Sequence, residues 1–342
     1  MFSMFLLFLC VIMANAKTFL IETGKSAENQ EDMVHDYALK NEDKKKSITL
    51  QVLLMNVWGL RFGEEKETRI PDIANFLKKS KHDIVVIQEA WHYSDYEKLR
   101  ATFPYSTSFG TPGSSFCPSR NSQSFLNKIT QIIDCNGLTI LSKYKIIEVD
   151  HVFFKDRMRK ITEGAVKRGA FAATMQVLKG VAGVLDTVTV SVINTHLTSW
   201  HDKLEKKHSS LREKQADDVI KLIADHKTKS DVVIVAGDLN STPGSPVYNK
   251  FISAGLTDTL VELEGEKSSD HKYATWGHSE NTWSSQDRPA RIDFIMYSFN
   301  PSKVGARTAA YNTVTAKTEK DGKEMSLSDH QWVEASINFN IK

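Results

Sequence analysis

The sequence predicts an α/β protein in which two packed β-sheets are flanked by helices. Several short runs are near-continuous Val, Ile and Leu, the pattern of strands covered on both faces. Between them lie segments with apolar residues at helical spacing, which need a sheet to bury against. Of the 342 residues, 41% are hydrophobic and 25% are charged, a balance that belongs to a folded chain and not to a disordered or fibrous one. No Pro/Gly-rich linker divides the chain after Ser47, and no internal repeat of solenoid period is present.

The elements follow in order. Residues 1–16, MFSMFLLFLCVIMANA, are a short apolar run ending in the small-x-small pattern Ala14-Asn15-Ala16. That run reads as a secretory signal peptide, although its leading region has no Lys or Arg; the alternative is a buried N-terminal helix. It is too short to span a bilayer, which takes about 20 apolar residues, and no later stretch reaches that length. Residues 17–46 are polar and without apolar periodicity, an N-terminal extension. Residues 47–342 then form a single domain. Its candidate strands are 48–57, 83–89, 138–142, 187–196, 232–238, 292–297 and 332–339. Its candidate helices are 69–79, with Ile70, Ile73 and Leu77 on one stripe, and 211–225, with Leu211, Val219, Ile220 and Ile223. Residues 102–136 and 262–286 read as loop-rich, and such loops on a rigid sheet commonly carry substrate contacts.

Charge and cysteine usage narrow the class. Lys and Arg total 44 against 42 Asp and Glu, a net charge of +2, so the chain lacks the global basic excess of nonspecific nucleic-acid binders. Cys10 leaves with the signal, and the remaining thiols, Cys117 and Cys135, bracket a Ser/Asn/Gln-rich loop. In an oxidising compartment they are expected to form a disulfide that stabilises by about 3 kcal/mol. The alternative is two unpaired thiols.

The chemistry sits where polar residues end the apolar strands. Asn56-Val57-Trp58-Gly59, Gln88-Glu89, Thr195-His196-Leu197 and Gly237-Asp238-Leu239-Asn240 each close a run, and Ser328-Asp329-His330 opens the last one. Burying such groups singly is costly unless each finds a partner or a metal. Carboxylate and amide oxygens from Glu89, Asn56, Asp238, Asn240 and Asp329 suit Mg²⁺, Mn²⁺ or Ca²⁺ and not a structural zinc. A hard cation beside two imidazoles suits phosphate-ester hydrolysis by an activated water.

In this order the motifs resemble those of the endonuclease/exonuclease/phosphatase superfamily, and within it most resemble the secreted, bacterial-like neutral sphingomyelinases. The resemblance also takes in Gly137-Leu138-Thr139-Ile140-Leu141-Ser142-Lys143, Ala274-Thr275-Trp276 and Arg291-Ile292-Asp293-Phe294. It implies a four-layer α-β-β-α sandwich of two packed mixed β-sheets flanked by helices, and a catalytic role for the 47–342 domain. It implies that Glu89, assisted by Asn56 and Asp329, holds Mg²⁺, and that Asp238 and Asn240 orient the attacking water and the phosphate. His330 would be the general base, held in its tautomer by Asp293. His196 would donate to the phosphoryl group or protonate the leaving alkoxide, with the division of acid and base between the histidines left open. Lys167 aligns with a phosphate contact, and Trp276 is a candidate lipid or choline contact.

The implied protein is a secreted, extracellular, monomeric phosphodiesterase that meets sphingomyelin by peripheral contact with a membrane and releases ceramide and phosphocholine. Two alternatives stay open: a deoxyribonuclease-like endonuclease acting on nucleic acid, and a non-catalytic haem or ligand carrier on the same scaffold. Four features are read more plainly. Lys155, Arg157, Arg159, Lys160, Lys167 and Arg168 form a basic stretch, either a solvated loop or an attractor for anionic headgroups. Trp283 is grouped with Trp276 as a lipid contact, while His92, His201 and His208 are ordinary surface or core histidines. Asn240-Ser241-Thr242 is formally a glycosylation acceptor, expected to stay unmodified because Asn240 ends a buried strand.

Overall fold

The computed structural model of the chain describes residues 47–60, 63–108, 136–156, 168–181, 184–200, 202–284 and 288–342. The signal peptide, the polar extension, Cys117, Cys135, Lys167, His201 and most of the basic stretch lie outside the described residues. The unit described is Ile48–Lys342, with Ser47 leading into it.

Two six-stranded sheets carry the fold. One has the order β11-β14-β1-β2-β4-β3, with β1 Ser47–Asn56, β2 Ile84–Gln88, β3 Tyr105–Ser106, β4 Thr139–Ser142, β11 Val304–Val314 and β14 Trp332–Ile341. The other has the order β5-β6-β7-β8-β10-β9, with β5 Ile146–Phe153, β6 Gly169–Val181, β7 Val184–His196, β8 Val232–Asp238, β9 Thr257–Asp258 and β10 Asp293–Phe299. Both sheets are mixed: β1 pairs with β2 and β7 with β8 in parallel, while β2–β4, β6–β7, β8–β10 and β11–β14 are antiparallel. A separate hairpin joins β12 Lys317–Lys320 to β13 Lys323–Ser326.

Side-chain alternation sorts the core into layers. Along β1, Leu50, Val52 and Leu54 meet Val190, Val192, Ile234 and Ala236 of the opposite sheet, making the inter-sheet core. The intervening Leu53 and Met55 face the other way, onto Ile70, Ile73 and Leu77 of helix α1, Lys66–Lys79. On the far side Ile193, Val233 and Val235 pack on Ala216, Val219 and Ile223 of helix α3, Glu205–Lys229, and on Val247 and Phe251 of helix α4, Pro246–Ser253. The period-2 pattern of each strand thus feeds two cores, and the layers run helix, sheet, sheet, helix. Helix α2, Tyr93–Arg100, joins α1 on the first face, and helix α5, Thr259–Glu264, runs into the start of the stretch read as loop.

Each predicted strand overlaps an observed one, with ends that differ by a few residues, but several elements escaped the sequence pattern. β5 and β11 lie at sheet edges and are largely half-buried or exposed, so they carry polar residues and show no continuous apolar run. β6 is built largely from Gly and Ala in its first half. Helix α3 begins six residues before the predicted Leu211, because its first turns, Glu-Lys-Lys-His-Ser-Ser, offer no apolar stripe. Residues 262–286 are not all loop: they include the end of α5 and two short 3₁₀ turns, Gly265–Ser269 and His271–Tyr273. Among the described residues no helix is long and apolar enough to cross a membrane.

Candidate active site

Topology brings the polar strand ends to one rim. In parallel pairs the C-terminal ends lie side by side, so Asn56 is in register with Gln88, and His196 with Asp238. β10 runs antiparallel to β8 and therefore contributes its first residue, Asp293, which is also in register with Asp238. His330 precedes β14 and reaches the same rim from the other sheet.

The chain leaves several of these strands in the left-handed region. Trp58 (φ 46°), Glu89 (φ 62°) and Asn240 (φ 47°) all have positive φ, which side chains other than glycine seldom adopt. Residues held in this way cluster where surrounding packing fixes a functional geometry. Gly59 makes one such turn possible: a Cβ there would lie 2.3 Å from the Glu89 carbonyl oxygen, so the two strand-end turns touch backbone to backbone.

The contacts close into one cluster. Asn56 Nδ2 donates to Glu89 Oε1 (3.1 Å) and to Asp238 Oδ2 (3.4 Å), while its Oδ1 accepts the Trp58 N–H (2.9 Å). His196 Nε2 lies 3.4 Å from Asp238 Oδ2 and 4.0 Å from Glu89 Oε1. His330 Nδ1 meets Asp293 Oδ2 at 2.9 Å, and its Nε2 faces Asp238 Oδ2 at 3.9 Å. Asn240 donates its backbone N–H to Asp238 Oδ1 (2.9 Å) and its Nδ2 to the Leu197 carbonyl (3.2 Å). Its Oδ1 accepts the Trp200 N–H at 3.3 Å. Asn56, His196, Asp238 and Asp293 are at most 2% exposed; Asn240 and His330 are 8% exposed.

Crowded carboxylates change their proton affinity. Withdrawal from water, then the adjacent Asp293, pushes the Asp238 carboxyl up to about 7. Glu89 is raised by withdrawal from water and by Asp329, and Asp329 is itself raised by burial. The histidines diverge. Burial pulls the His330 imidazole down, but Asp293, Asp329 and Asp238 together lift it well above its ordinary value. His196 falls well below that value, through burial first and then the positive charges of Arg168 and His330.

The residues present fit a divalent cation. Glu89 Oε2 and Asp293 Oδ1 are buried oxygens with no hydrogen-bond partner among the described residues. Asp238, Asp293 and His330 place one ligand atom each within 4.8 Å of one another. Hard oxygens that repel one another and lack donors are what Mg²⁺ neutralises.

Beyond the predicted set, Arg69 and Arg168 stand out. Arg69, 0% exposed, donates to the carbonyls of Val57, Trp58, Glu64 and Leu327, and its guanidinium lies over the Trp58 ring at 4.6 Å. It ties the Asn56 turn to the segment entering Ser328-Asp329-His330. Arg168 is not part of a solvated loop: it is 8% exposed and its Nη1 donates to the Leu197 carbonyl at 2.8 Å. The carbonyl contacts of neither were visible in the sequence, where Arg168 counts only as one charge of the basic stretch, because an arginine that caps carbonyls looks like any surface arginine until the fold closes.

Trp283 donates its indole N–H to the Ser326 carbonyl (2.6 Å) and packs against Trp58 with centroids 5.5 Å apart, contacts that make it a scaffold residue. Trp276, half-buried, forms backbone bridges to both Ala290 and His330. His208 is a core histidine, 1% exposed, with Nδ1 on the Ser199 carbonyl at 2.6 Å.

A model described as the Endonuclease/Exonuclease/phosphatase family matches residues 53–330. An inositol phosphosphingolipids phospholipase C of Schizosaccharomyces pombe is 25% identical over 330 residues, covering 87% of this chain and 70% of its own length. A putative neutral sphingomyelinase of Drosophila melanogaster is 24% identical over 301 residues, 85% of this chain and 61% of the relative, so this chain spans less than two thirds of that protein. Among solved structures, a variant of beta toxin from Staphylococcus aureus with bound magnesium ions superposes with a TM-score of 0.58 at 20% identity, over 84% of this chain and 99% of the toxin, a likeness of fold.

Proposed function

Since the chain belongs to the Endonuclease/Exonuclease/phosphatase family, we propose that it is a metal-dependent phosphodiesterase that cleaves sphingolipids in the manner of a phospholipase C, with sphingomyelin as substrate and ceramide and phosphocholine as products. The observation that carries the reading is the His330–Asp293 pair at 2.9 Å set across Asp238 from a second, differently tuned histidine, His196. The relatives named above support the sphingolipid class.

Glu89, with Asn56 and Asp329 beside it, is the expected cradle for Mg²⁺, and the free Oε2 of Glu89 is the oxygen available to it. When bound, the cation neutralises a phosphoryl oxygen and stabilises the charge that develops there. The protein's own groups do the rest. His330 Nε2 takes a proton from the attacking water, while Nδ1–H stays on Asp293, which fixes the tautomer and stabilises the imidazolium. His196, kept from charging by burial and Arg168, donates a hydrogen bond through its neutral ring N–H to the phosphoryl group. As the P–O bond to ceramide breaks, the leaving oxygen takes a proton from solvent and His330 returns to solvent the proton it took from the water. Asp238 and Asn240 fix the water and the phosphate between them, each already oriented by the other's backbone or side chain.

The same reading takes residues 1–16 as a signal peptide, places the protein outside the cell, pairs Cys117 with Cys135, adds Lys167 and Trp276 as substrate contacts, and has the enzyme meet bilayers peripherally as a monomer. The test is phosphocholine release from sphingomyelin vesicles with and without Mg²⁺, beside plasmid nicking under the same conditions. Release that stops with a chelator and returns with Mg²⁺ is expected. Nicking without release would move the activity to nucleic acid, and neither activity in a folded protein would end the enzymatic reading.

A further inference from the structure

Thr275 occupies the junction between the two halves of the His330–Asp293 pair. It is 0% exposed, and its Oγ1 accepts two successive backbone N–H groups, those of Ile292 (3.0 Å) and Asp293 (3.1 Å). Adjacent N–H groups that converge on one oxygen form a nest, a cradle that backbone makes for a single acceptor. Here the hydroxyl fills it from inside the protein. The backbone of the same residue holds the other partner: the Thr275 carbonyl accepts the N–H of Gln331, next to His330, at 2.6 Å, and the Thr275 N–H donates to Ala290 at 3.0 Å. Trp276 continues the junction with bridges to Ala290 and His330.

Asp293 opens β10 of one sheet, His330 precedes β14 of the other, and the two are 37 residues apart in the chain. Among the described residues Thr275 hydrogen-bonds to the backbone on both sides of them: one side through its hydroxyl, the other through its carbonyl. We propose that Thr275 is a positioning residue that sets the spacing of the His330–Asp293 pair through its Oγ1. The inference rests on the phosphodiesterase reading for its consequence in catalysis, and on geometry alone for the spacing itself. Valine matches threonine in shape but offers no acceptor, so Thr275→Val leaves the two N–H groups without a partner, whereas Thr275→Ser keeps the oxygen. A displacement near 1 Å at such a pair costs about 100-fold in rate.

The experiment compares wild type, Thr275→Val and Thr275→Ser by vesicle kinetics, thermal melting and the proton NMR signal of the His330 ring N–H bonded to Asp293, assigned by its loss in His330→Ala. Expected for the valine variant are a kcat lowered by roughly 10- to 100-fold with KM within about twofold, and a His330 signal that shifts or broadens beyond detection. The serine variant should recover kcat to within a few-fold and keep the signal. Wild-type kcat in the valine variant overturns the proposal. So does a serine variant as impaired as the valine one, with kcat loss tracking the fall in melting temperature. Should wild type release no headgroup at all, the phosphodiesterase reading fails and the NMR signal still decides the spacing: unchanged in Thr275→Val, it overturns the proposal; altered there and intact in Thr275→Ser, it supports it.

Discussion

His196 and His330 stand on either side of one carboxylate oxygen, Asp238 Oδ2, at 3.4 and 3.9 Å, yet their surroundings drive them in opposite directions. His330 has Asp293 behind it at 2.9 Å, and the carboxylates around it outweigh burial and hold the ring ready to carry charge. The Nδ1 of His196 has no hydrogen-bond partner among the described residues, and Arg168 adds repulsion, so that ring stays neutral. The group behind each ring, not its distance from Asp238, is what sets the two histidines apart. Titratable groups whose environments pull their proton affinities apart mark an acid–base division of labour.

That contrast can be broken most directly at His330. His330→Ala should lower kcat/KM for headgroup release by roughly 1,000-fold, the scale of a lost general base; a loss under tenfold would mean the base is elsewhere. Glu89→Ala should cost at least ~100-fold and weaken the activation by Mg²⁺, read from the metal concentration giving half-maximal rate. Asp293→Asn should cost about 100-fold and move the acid limb of the rate profile. The sign follows from the pair: a base works deprotonated, Asp293 holds its proton on to higher pH, and removing that charge shifts the limb to lower pH. His196→Ala should be milder, about 10- to 100-fold, with the acid limb staying near its wild-type position. A limb that moved as far as in Asp293→Asn would erase the distinction between the two histidines.

The smallest effect concerns a third histidine, far from the site in role. His226 on α3 is fully buried, with Nδ1 on Ser191 Oγ at 2.8 Å, and burial, helped by Lys229, lowers its affinity for a proton. A group whose folded value lies below its unfolded one gives stability that is present above the unfolded value, near pH 6.5, and is lost as pH falls through the folded one. The buried acids of the site and His330 are shifted upward and work in the opposite direction, so the His226 share is read as a difference. The gap in melting temperature between wild type and His226→Gln should change on acidification from pH 7 to the disadvantage of wild type, by roughly 2–4 °C for each kcal/mol lost. A gap that stayed constant with pH would mean that His226 does not titrate with folding.

The sequence made the site more legible than the fold's edges, for one physical reason. Asn56, Glu89, His196, Asp238 and Asp293 sit where an apolar run abruptly turns polar, and the ends of a buried strand are where such a change has chemical meaning. β5 and β11 had no such contrast to offer, because an edge strand exposed on one flank carries Glu148, Asp150, Arg307 and Asn312 among its apolar residues. Arg69 and Arg168 were hidden for the converse reason: each is buried by carbonyls that only the closed chain gathers. Thr275 lies inside the Ala274-Thr275-Trp276 motif, where the neighbouring indole is the more conspicuous group. A hydroxyl's value lies in which amides point at it, and spacing along the chain carries no record of that.

The shared rung of His196, Asp238 and Asp293 has a bearing on how the protein fails when heated. Amides in the middle of a six-stranded sheet exchange with solvent only when the whole domain opens, whereas segments outside the ladders open on their own and far more often. His330 and Thr275 belong to the second kind, His196 and Asp238 to the first. Deuterium uptake should therefore reach residues 274–276 and 328–331 while the strand amides of β8 remain protected. Activity would then fade on warming before the sheets come apart, and return on cooling without refolding.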